Sequence, residues 1–329
     1  MKLLRITGVL VLIALVIGGF AIFRLNQPYQ GFSGAVFVDF PHGTSTTSIA
    51  AQLARAGVVR SPWDFWLARL LAQHRKPQAG EYRFDKAASP AEVFDRLARG
   101  DIFYYELIVP EGKNMFEIAD AVAALGIFPA PKFLAAAHNP ALIRDLDASA
   151  PTLEGYLFPS AYRLSRHTTP DQLCRMMTAK FREVWRGLGS SADPHATVTL
   201  ASLVEKEGKL PQERPLIAAV FANRLRIGMK LDCDPTTIYA ALLNGRYRGV
   251  IHRSDLDSDQ EYNTYRHRGL PPGPIANPGI PSLKAALEPA ESEALYFVLR
   301  PDGSGGHEFS ETIAAHQAAT ARYRRGLQR

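Results

Sequence analysis

An uninterrupted apolar run near the start of the chain constrains its architecture more than any other feature. ITGVLVLIALVIGGFAIF, residues 6–23, holds 18 residues without a charge between Arg5 and Arg24. At about 1.5 Å per residue, a helix of that length nearly crosses a hydrocarbon layer of about 30 Å. One bitopic helix is the simplest solution. The rival is a cleaved signal peptide, for which Lys2 and Arg5 supply the positive start. The run is longer than a usual h-region, and Phe-Arg-Leu-Asn follows it where a small-x-small cleavage site would stand, so retention as an anchor is favoured. Lys2 and Arg5 before the span, against Arg24 alone just after it, put residues 1–5 in the cytoplasm and the bulk of the chain beyond the inner membrane.

The remaining length is ample for real cores, since 47% of the 329 residues are hydrophobic and 10% aromatic. Only two cysteines occur, which excludes a disulfide framework and a structural zinc set. Cys174 and Cys233 could pair in an oxidising compartment or remain buried free thiols. The net charge of +6 and the tail ARYRRGLQR suit an anionic surface, either phospholipid headgroups or a carboxylate-bearing wall polymer. A solvated helix face explains the tail equally well. Placement outside the cytoplasm argues against nucleic acid as a partner.

After the span, residues 24–35 have the Pro/Gly/Ser/Asn character of a linker. A repeat follows. FPHGTSTTSIAAQLARAGVV (40–59) and VPEGKNMFEIADAVAALGIF (109–128) align without a gap at an offset of 69 residues. Each copy predicts a strand, a Gly turn, an amphipathic helix and a Gly C-cap. Between them lie a second helix (61–73), a short strand GEYRF, and a third helix with Ser89 as N-cap, Pro90 at its first position and Gly100 closing it. The predicted order β-α-α-β-α-β implies a small module over residues 36–106, with helices on one face of a sheet. Residues 107–329 form a larger domain, helical at first and ending in a hairpin around DGSGG. The overall fold class is α+β. The long stretch from Asp234 to Leu287, rich in Tyr, Asn, Gly and Pro, is expected to be a binding surface.

Metal ligation has no support, because the nine histidines are scattered and neither HExxH nor CxxC occurs. Serine nucleophiles lack GxSxG or SxxK. Carboxylates remain. In TLASLVEKEG (199–208), Leu200, Leu203 and Val204 occupy one face of a 3.6-residue period, and the next place on that face is Glu207. Burial favours the neutral form of such a carboxyl, so that it can hold a proton and give it to a leaving group. Glu205, about 200° round the helix, is the competing acid, and the two exchange roles if the stripe is displaced. A two-carboxylate hydrolase needs a second acid within roughly 5–10 Å, for which Glu111, Glu154, Asp232 and Asp234 are available. One acid suffices where the substrate carries its own nucleophile.

Five ordered blocks carry a resemblance: ASLVEKEG, LEGYLFPSAYRL (153–164), FANRLRIGMKLDCDPTTIYA (221–240), YNTYRHRGLPPGPIANPG (262–279) and GGHEFS (305–310). Together with the single anchor they closely resemble the YceG/MltG family of endolytic murein transglycosylases, over nearly the whole chain. The resemblance implies cleavage of the MurNAc-β-1,4-GlcNAc bond inside nascent peptidoglycan strands, leaving 1,6-anhydro-MurNAc ends and terminating glycan polymerisation. The muramyl 6-hydroxyl is then the nucleophile, which fits a single glutamate and requires no cofactor. Carried over by motif, Glu207 is the catalytic acid and base, with Glu205 and Asn263 supporting. Thr264 and Tyr265 line the glycan cleft, Tyr156 and Phe158 form a sugar-stacking wall, and Asn223 and Asp234 orient substrate. The aromatic block YLFPSAY is poorer in Trp than is usual for the family. The resemblance further implies a LysM-like module at 36–106, wall synthases as partners, and an inner-membrane protein with a periplasmic catalytic domain. A non-catalytic glycan-binding scaffold and a two-carboxylate muramidase are the alternatives, separated by the chemistry of the product ends.

Overall fold

The computed structural model describes residues 2–72 and 75–326. Met1 of the expected cytoplasmic segment, Gln73 at the end of the predicted second helix and the last three residues of the Arg-rich tail lie outside them. The fold is mixed α+β, and the chain divides into two compact units, Met1–Tyr105 and Glu106–Arg329.

The first unit begins with α1 (Lys2–Asn26). Its stretch Thr7–Asn26 is long and apolar enough to cross a membrane. Then follow β1 (Val36–Phe40), α2 (Thr46–Arg55), α3 (Pro62–Leu71), β2 (Gly80–Phe84) and α4 (Pro90–Arg99). β1 and β2 pair antiparallel, with Val36 opposite Phe84 and Phe40 opposite Gly80. Phe40, Leu53, Phe65, Tyr82, Phe84 and Phe94 fill the core between that ribbon and the helices. The caps are those the sequence predicts: Ser89 accepts from the Glu92 N–H while Glu92 reaches back, and Gly100 closes α4 at φ 69°.

Residues 24–35 are not a free linker. α1 continues to Asn26, Leu25 is buried in the module's core, and Arg24 pairs with Asp64 at 2.9 Å. Tyr29 bridges Ala88, and Gly31 donates to the Gly57 carbonyl. The segment is short of charge and holds Leu25, Tyr29 and Phe32, so packing it against the module removes apolar surface from water.

The predicted third strand of the module also goes elsewhere. β3 (Tyr105–Ile108) pairs with β4 (Ala161–Leu164) instead of with β1 or β2. Leu107 of β3 and Val109 just after it are buried, and the Val109 N–H donates to the Ser160 carbonyl. The repeat survives as local conformation. Gly43 and Gly112 both take positive φ, as do Gly57 and Gly126, and Ser45 and Asn114 each cap the helix that follows.

The second unit continues with α5 (Met115–Ala124), α6 (Ala130–Ala137), α7 (Pro170–Leu188), α8 (Pro194–Glu207), α9 (Arg214–Arg226), α10 (Asp234–Leu243), α11 (Arg253–Leu256) and α12 (Ile280–Leu287). It closes with the predicted hairpin, β5 (Tyr296–Leu299) against β6 (His307–Ser310), and α13 (Ile313–Gly326). α8 is the central rod. Thr197 through Val204 are all buried, so its middle is apolar on every face and not along a single stripe.

Part of the long polar stretch lies on the surface as expected, with residues 244–261 mostly exposed or half-buried, but its later part does not. From Gly273 to Gly279 the chain is buried, and it avoids orphaned polar groups by bonding to neighbouring elements. Ile275 N–H donates to Ser202, Gly279 N–H to Glu205, and Asn277 receives Leu157 N–H while its amide donates to Lys113 and Glu154. Gly155 makes room for this segment, since a Cβ there would stand 2.4 Å from Pro274, at a φ of 84° that favours glycine.

Candidate active site

α8 ends on two carboxylates with opposite surroundings. Glu205 is satisfied within the protein: its Oε1 takes Arg214 Nη2 at 2.9 Å and its Oε2 takes the Gly279 N–H at 3.0 Å. Its side chain is 5% exposed, and the Arg214 guanidinium beside it is its counter-charge. Glu207 forms no ion pair among the described residues. Its Oε1 accepts from the Cys233 thiol at 3.3 Å, and the side chain opens into a cleft of about 410 Å³. Burial raises the Glu207 carboxyl above the ordinary carboxylate range; the thiol bond pulls it back, and the negative charge of Asp234 pushes it up again. The pair resembles an acid and its structural neighbour, told apart by partners more than by helix face.

The cleft floor is an extended segment that reaches the N-terminus of α10. Leu231 and Cys233 point inward while Asp232 and Asp234 are exposed, a period of two. Asp232 holds φ 47°, unusual for a residue other than glycine. Tyr265 donates its hydroxyl to Asp234 at 2.5 Å. Opposite stand Arg224, Tyr296, Phe297 and His316, with the Tyr296 and His316 rings stacked 5.1 Å apart and the Arg224 guanidinium 5.3 Å from the Tyr296 ring. Burial keeps the Cys233 thiol well above its usual pKa, so it remains a donor to Glu207.

Asn263, Thr264 and Tyr265 do three different jobs. Asn263 is fully buried and donates to the carbonyls of Asp255, Leu256 and Ser258, so it ties its own loop together. Thr264 is also buried; it receives the Cys233 N–H at 3.0 Å and meets Thr236 at 2.9 Å, which fixes the segment that carries Cys233 and Asp234. Of the three only Tyr265 lines the cleft.

The structure brings Glu207, Asp234 and Tyr265 together and leaves other expected site residues apart. Tyr156 is wholly buried, donates to Asp147 and packs edge-on against Phe181, so neither face is open to a sugar. Phe158 is 7% exposed and does not line the cleft. Asn223 donates to the carbonyls of Ser292 and Ala294, which pins the entry to β5. Among the other carboxylates, Glu154 is buried against Met115 and Asn277, and Glu111 lies by Arg214.

The family model described as YceG-like matches residues 38–322. The chain belongs to the YceG-like family. An endolytic murein transglycosylase of Bacillus subtilis is 31% identical over 333 residues, covering 94% of this chain and 91% of that protein. One of Streptococcus pneumoniae is 30% identical over 296 residues, covering 80% of this chain but 54% of the relative, so the chain spans about half of that protein. A crystal structure of a YceG-like protein from Listeria monocytogenes matches with a TM-score of 0.55 and 29% identity, over 87% of this chain and 99% of that one.

What sequence reasoning missed in this YceG-like cleft is the wall facing Glu207. Cys233 stands in the LDCDP block as the inward member of an alternation, a signal available from period alone. Arg224, Tyr296 and His316 come from three separate elements, and no local pattern joins them.

Proposed function

We propose that this chain is a membrane-anchored endolytic lytic transglycosylase that cuts the MurNAc-β-1,4-GlcNAc bond within nascent glycan strands and so terminates their growth. The observation that carries the reading is Glu207, a carboxyl that opens into a polar cleft with a thiol as its one bonded partner among the described residues, and whose pKa burial raises. Protonated Glu207 gives its proton to the glycosidic oxygen as the C1–O bond breaks. The muramyl 6-hydroxyl closes on C1, and its proton passes to the Glu207 carboxylate, which restores the acid without consuming water. Glu205, held by Arg214, supports the end of α8 but is not the acid. Asp234 and Tyr265, joined at the cleft edge, are the groups best disposed to hold sugar hydroxyls.

A two-carboxylate hydrolysis is the second reading, because Asp232 and Asp234 line the same cleft as Glu207. The β1-α2-α3-β2 arrangement supports a LysM-like role for residues 36–106 in binding glycan. α1 supports a single-pass inner-membrane location with the catalytic unit periplasmic, and synthases that extrude strands at that membrane are the proposed partners.

Mass spectrometry of the products that the full chain releases from uncrosslinked glycan tests this reading. Anhydro-muramyl ends, lost in Glu207→Gln, are the expected result. Reducing ends would transfer the case to the muramidase, and intact strands to a non-catalytic scaffold.

A further inference from the structure

One apolar ridge takes no part in the chemistry above. Trp63 and Leu70 of α3, 79% and 75% exposed, are the most exposed large apolar side chains among the described residues, more so than any from Val9 to Phe23 on α1. Two helical turns separate them, so they share a face. Leu71 extends that face at 57% exposure, while Phe65 and Ala68 on the other side are buried in the module.

The position of α3 relative to α1 says what meets this face. Asp64, in the first turn of α3, binds Arg24, and Leu71 at its other end lines one hollow with Ile22 and Leu25. The ten residues of α3, about 15 Å of helix, therefore meet only the last few residues of α1, about 6 Å of rise. α3 lies across α1, not alongside it. If α1 stands along a bilayer normal, α3 lies near the bilayer plane at the depth where the apolar span ends. Ile22 itself belongs to that span.

Charge agrees with that depth. Arg60 precedes α3, Arg69 sits on it with its guanidinium 5.4 Å from the Trp66 ring, and Arg75 and Lys76 follow it. Trp and Leu side chains rimmed by cations are the composition of a helix lying in an interface, where anionic headgroups meet the cations and the apolar face enters the acyl boundary. We propose that α3 is an interfacial helix that lays Trp63, Leu70 and Leu71 into the headgroup–acyl boundary of the membrane that α1 enters. The proposal rests on α1 being a retained membrane span. Because Leu25 and Arg24 join α1 to the module, a second foothold beside the span holds the module against the bilayer and stops it from swinging on a tether.

The test uses the full chain in vesicles of phosphatidylethanolamine and phosphatidylglycerol carrying brominated acyl chains. The Trp63 signal is the difference between wild type and Trp63→Phe, a substitution at an exposed position that leaves the core alone. The expected result is a blue-shifted Trp63 emission quenched at least twofold by the brominated lipid and little by aqueous acrylamide. A bimane label on Leu70→Cys provides a second probe, since Cys174 and Cys233 are buried, and it is expected to be quenched in the same vesicles. Two probes that acrylamide reaches freely, in a chain that resists alkaline carbonate extraction, would overturn the interfacial helix and leave the span intact. Extraction by carbonate would remove the membrane reading and this proposal together. Protection that grows with protein concentration, without quenching by brominated lipid, would mean a second copy of the chain covers the ridge and would also overturn it.

Discussion

The thiol of Cys233 stands 3.3 Å from Oε1 of Glu207 and is its only hydrogen-bond donor among the described side chains. A donor favours the ionised carboxylate, so this bond opposes the burial that holds the carboxyl up. Cys233→Ala should therefore raise the Glu207 pKa and move the alkaline limb of kcat/KM to higher pH, because the proton needed for leaving-group departure is held longer. Cys233→Ser keeps a donor and should leave the limb nearer its original place. A thiol is a weak donor, and the change in rate at neutral pH should stay within about tenfold. Superimposable limbs for wild type and Cys233→Ala would mean that the contact has no electrostatic effect.

Glu207 and Glu205 should fail in different ways. Glu207→Gln removes the proton donor and should lower kcat by about 10²–10⁴ while melting near wild type. Glu205→Gln takes from Arg214, 9% exposed in its side chain, its close counter-charge and leaves it the more exposed Glu111 at 3.7 Å. Breaking a buried pair from one side costs about 3 kcal/mol or more, which in a unit of this size lowers Tm by roughly 6–12 °C. Calorimetry beside product analysis checks both. A Glu205→Gln protein that melts normally yet is as inactive as Glu207→Gln would exchange the two roles.

Much of this was legible in the sequence because it is local. The apolar span, the caps of α4, the β5–β6 hairpin and α8 up to Glu207 each follow from period or turn chemistry within a few residues. What was not legible depends on contacts far apart in the chain. The stripe argument reached Glu207, but α8 is buried all round, and Glu205 differs from Glu207 through Arg214 and Gly279, which lie 9 and 74 residues away. Tyr156 suggested a sugar platform through the motif it shares with the family; Asp147 and Phe181 take it into the core. The Pro/Gly-rich stretch looked like surface because turn residues usually are, yet Ser202 and Glu205 accept the Ile275 and Gly279 N–H groups inside the protein.

Stability should fall as pH rises through the neutral range, because of Glu154. Burial lifts its carboxyl from the ordinary 4.5 to about 8, against the pull of hydrogen bonds from Met115 N–H and the Tyr239 hydroxyl. Between those two values the unfolded chain releases a proton that the folded chain keeps, so unfolding gains on folding with increasing pH. The contribution is complete below about pH 4.5 and lost by about pH 8, a span on the order of 5 kcal/mol. Glu207, also raised, acts with the same sign. Denaturant unfolding of wild type and Glu154→Gln at pH 5 and pH 8 measures it, and an equal pH dependence in the two proteins would assign the effect elsewhere.

The attachment of α1 to the module predicts how the anchor can be removed. A fragment beginning at Ile22 keeps Leu25 in the core and Arg24 on Asp64, whereas one beginning at Gln30 loses both. Loss of a buried leucine alone costs about 2–5 kcal/mol, and Asp64, itself 5% exposed, also loses its cationic partner while still capping α3 through Ser61. In a module of roughly 80 residues, each kcal/mol is worth about 4–8 °C. The Gln30 fragment should therefore melt at least about 10 °C below the Ile22 fragment in the transition that belongs to the module, with the catalytic unit's transition unchanged. Equal melting of the two fragments would return residues 24–35 to the role of a loose tether.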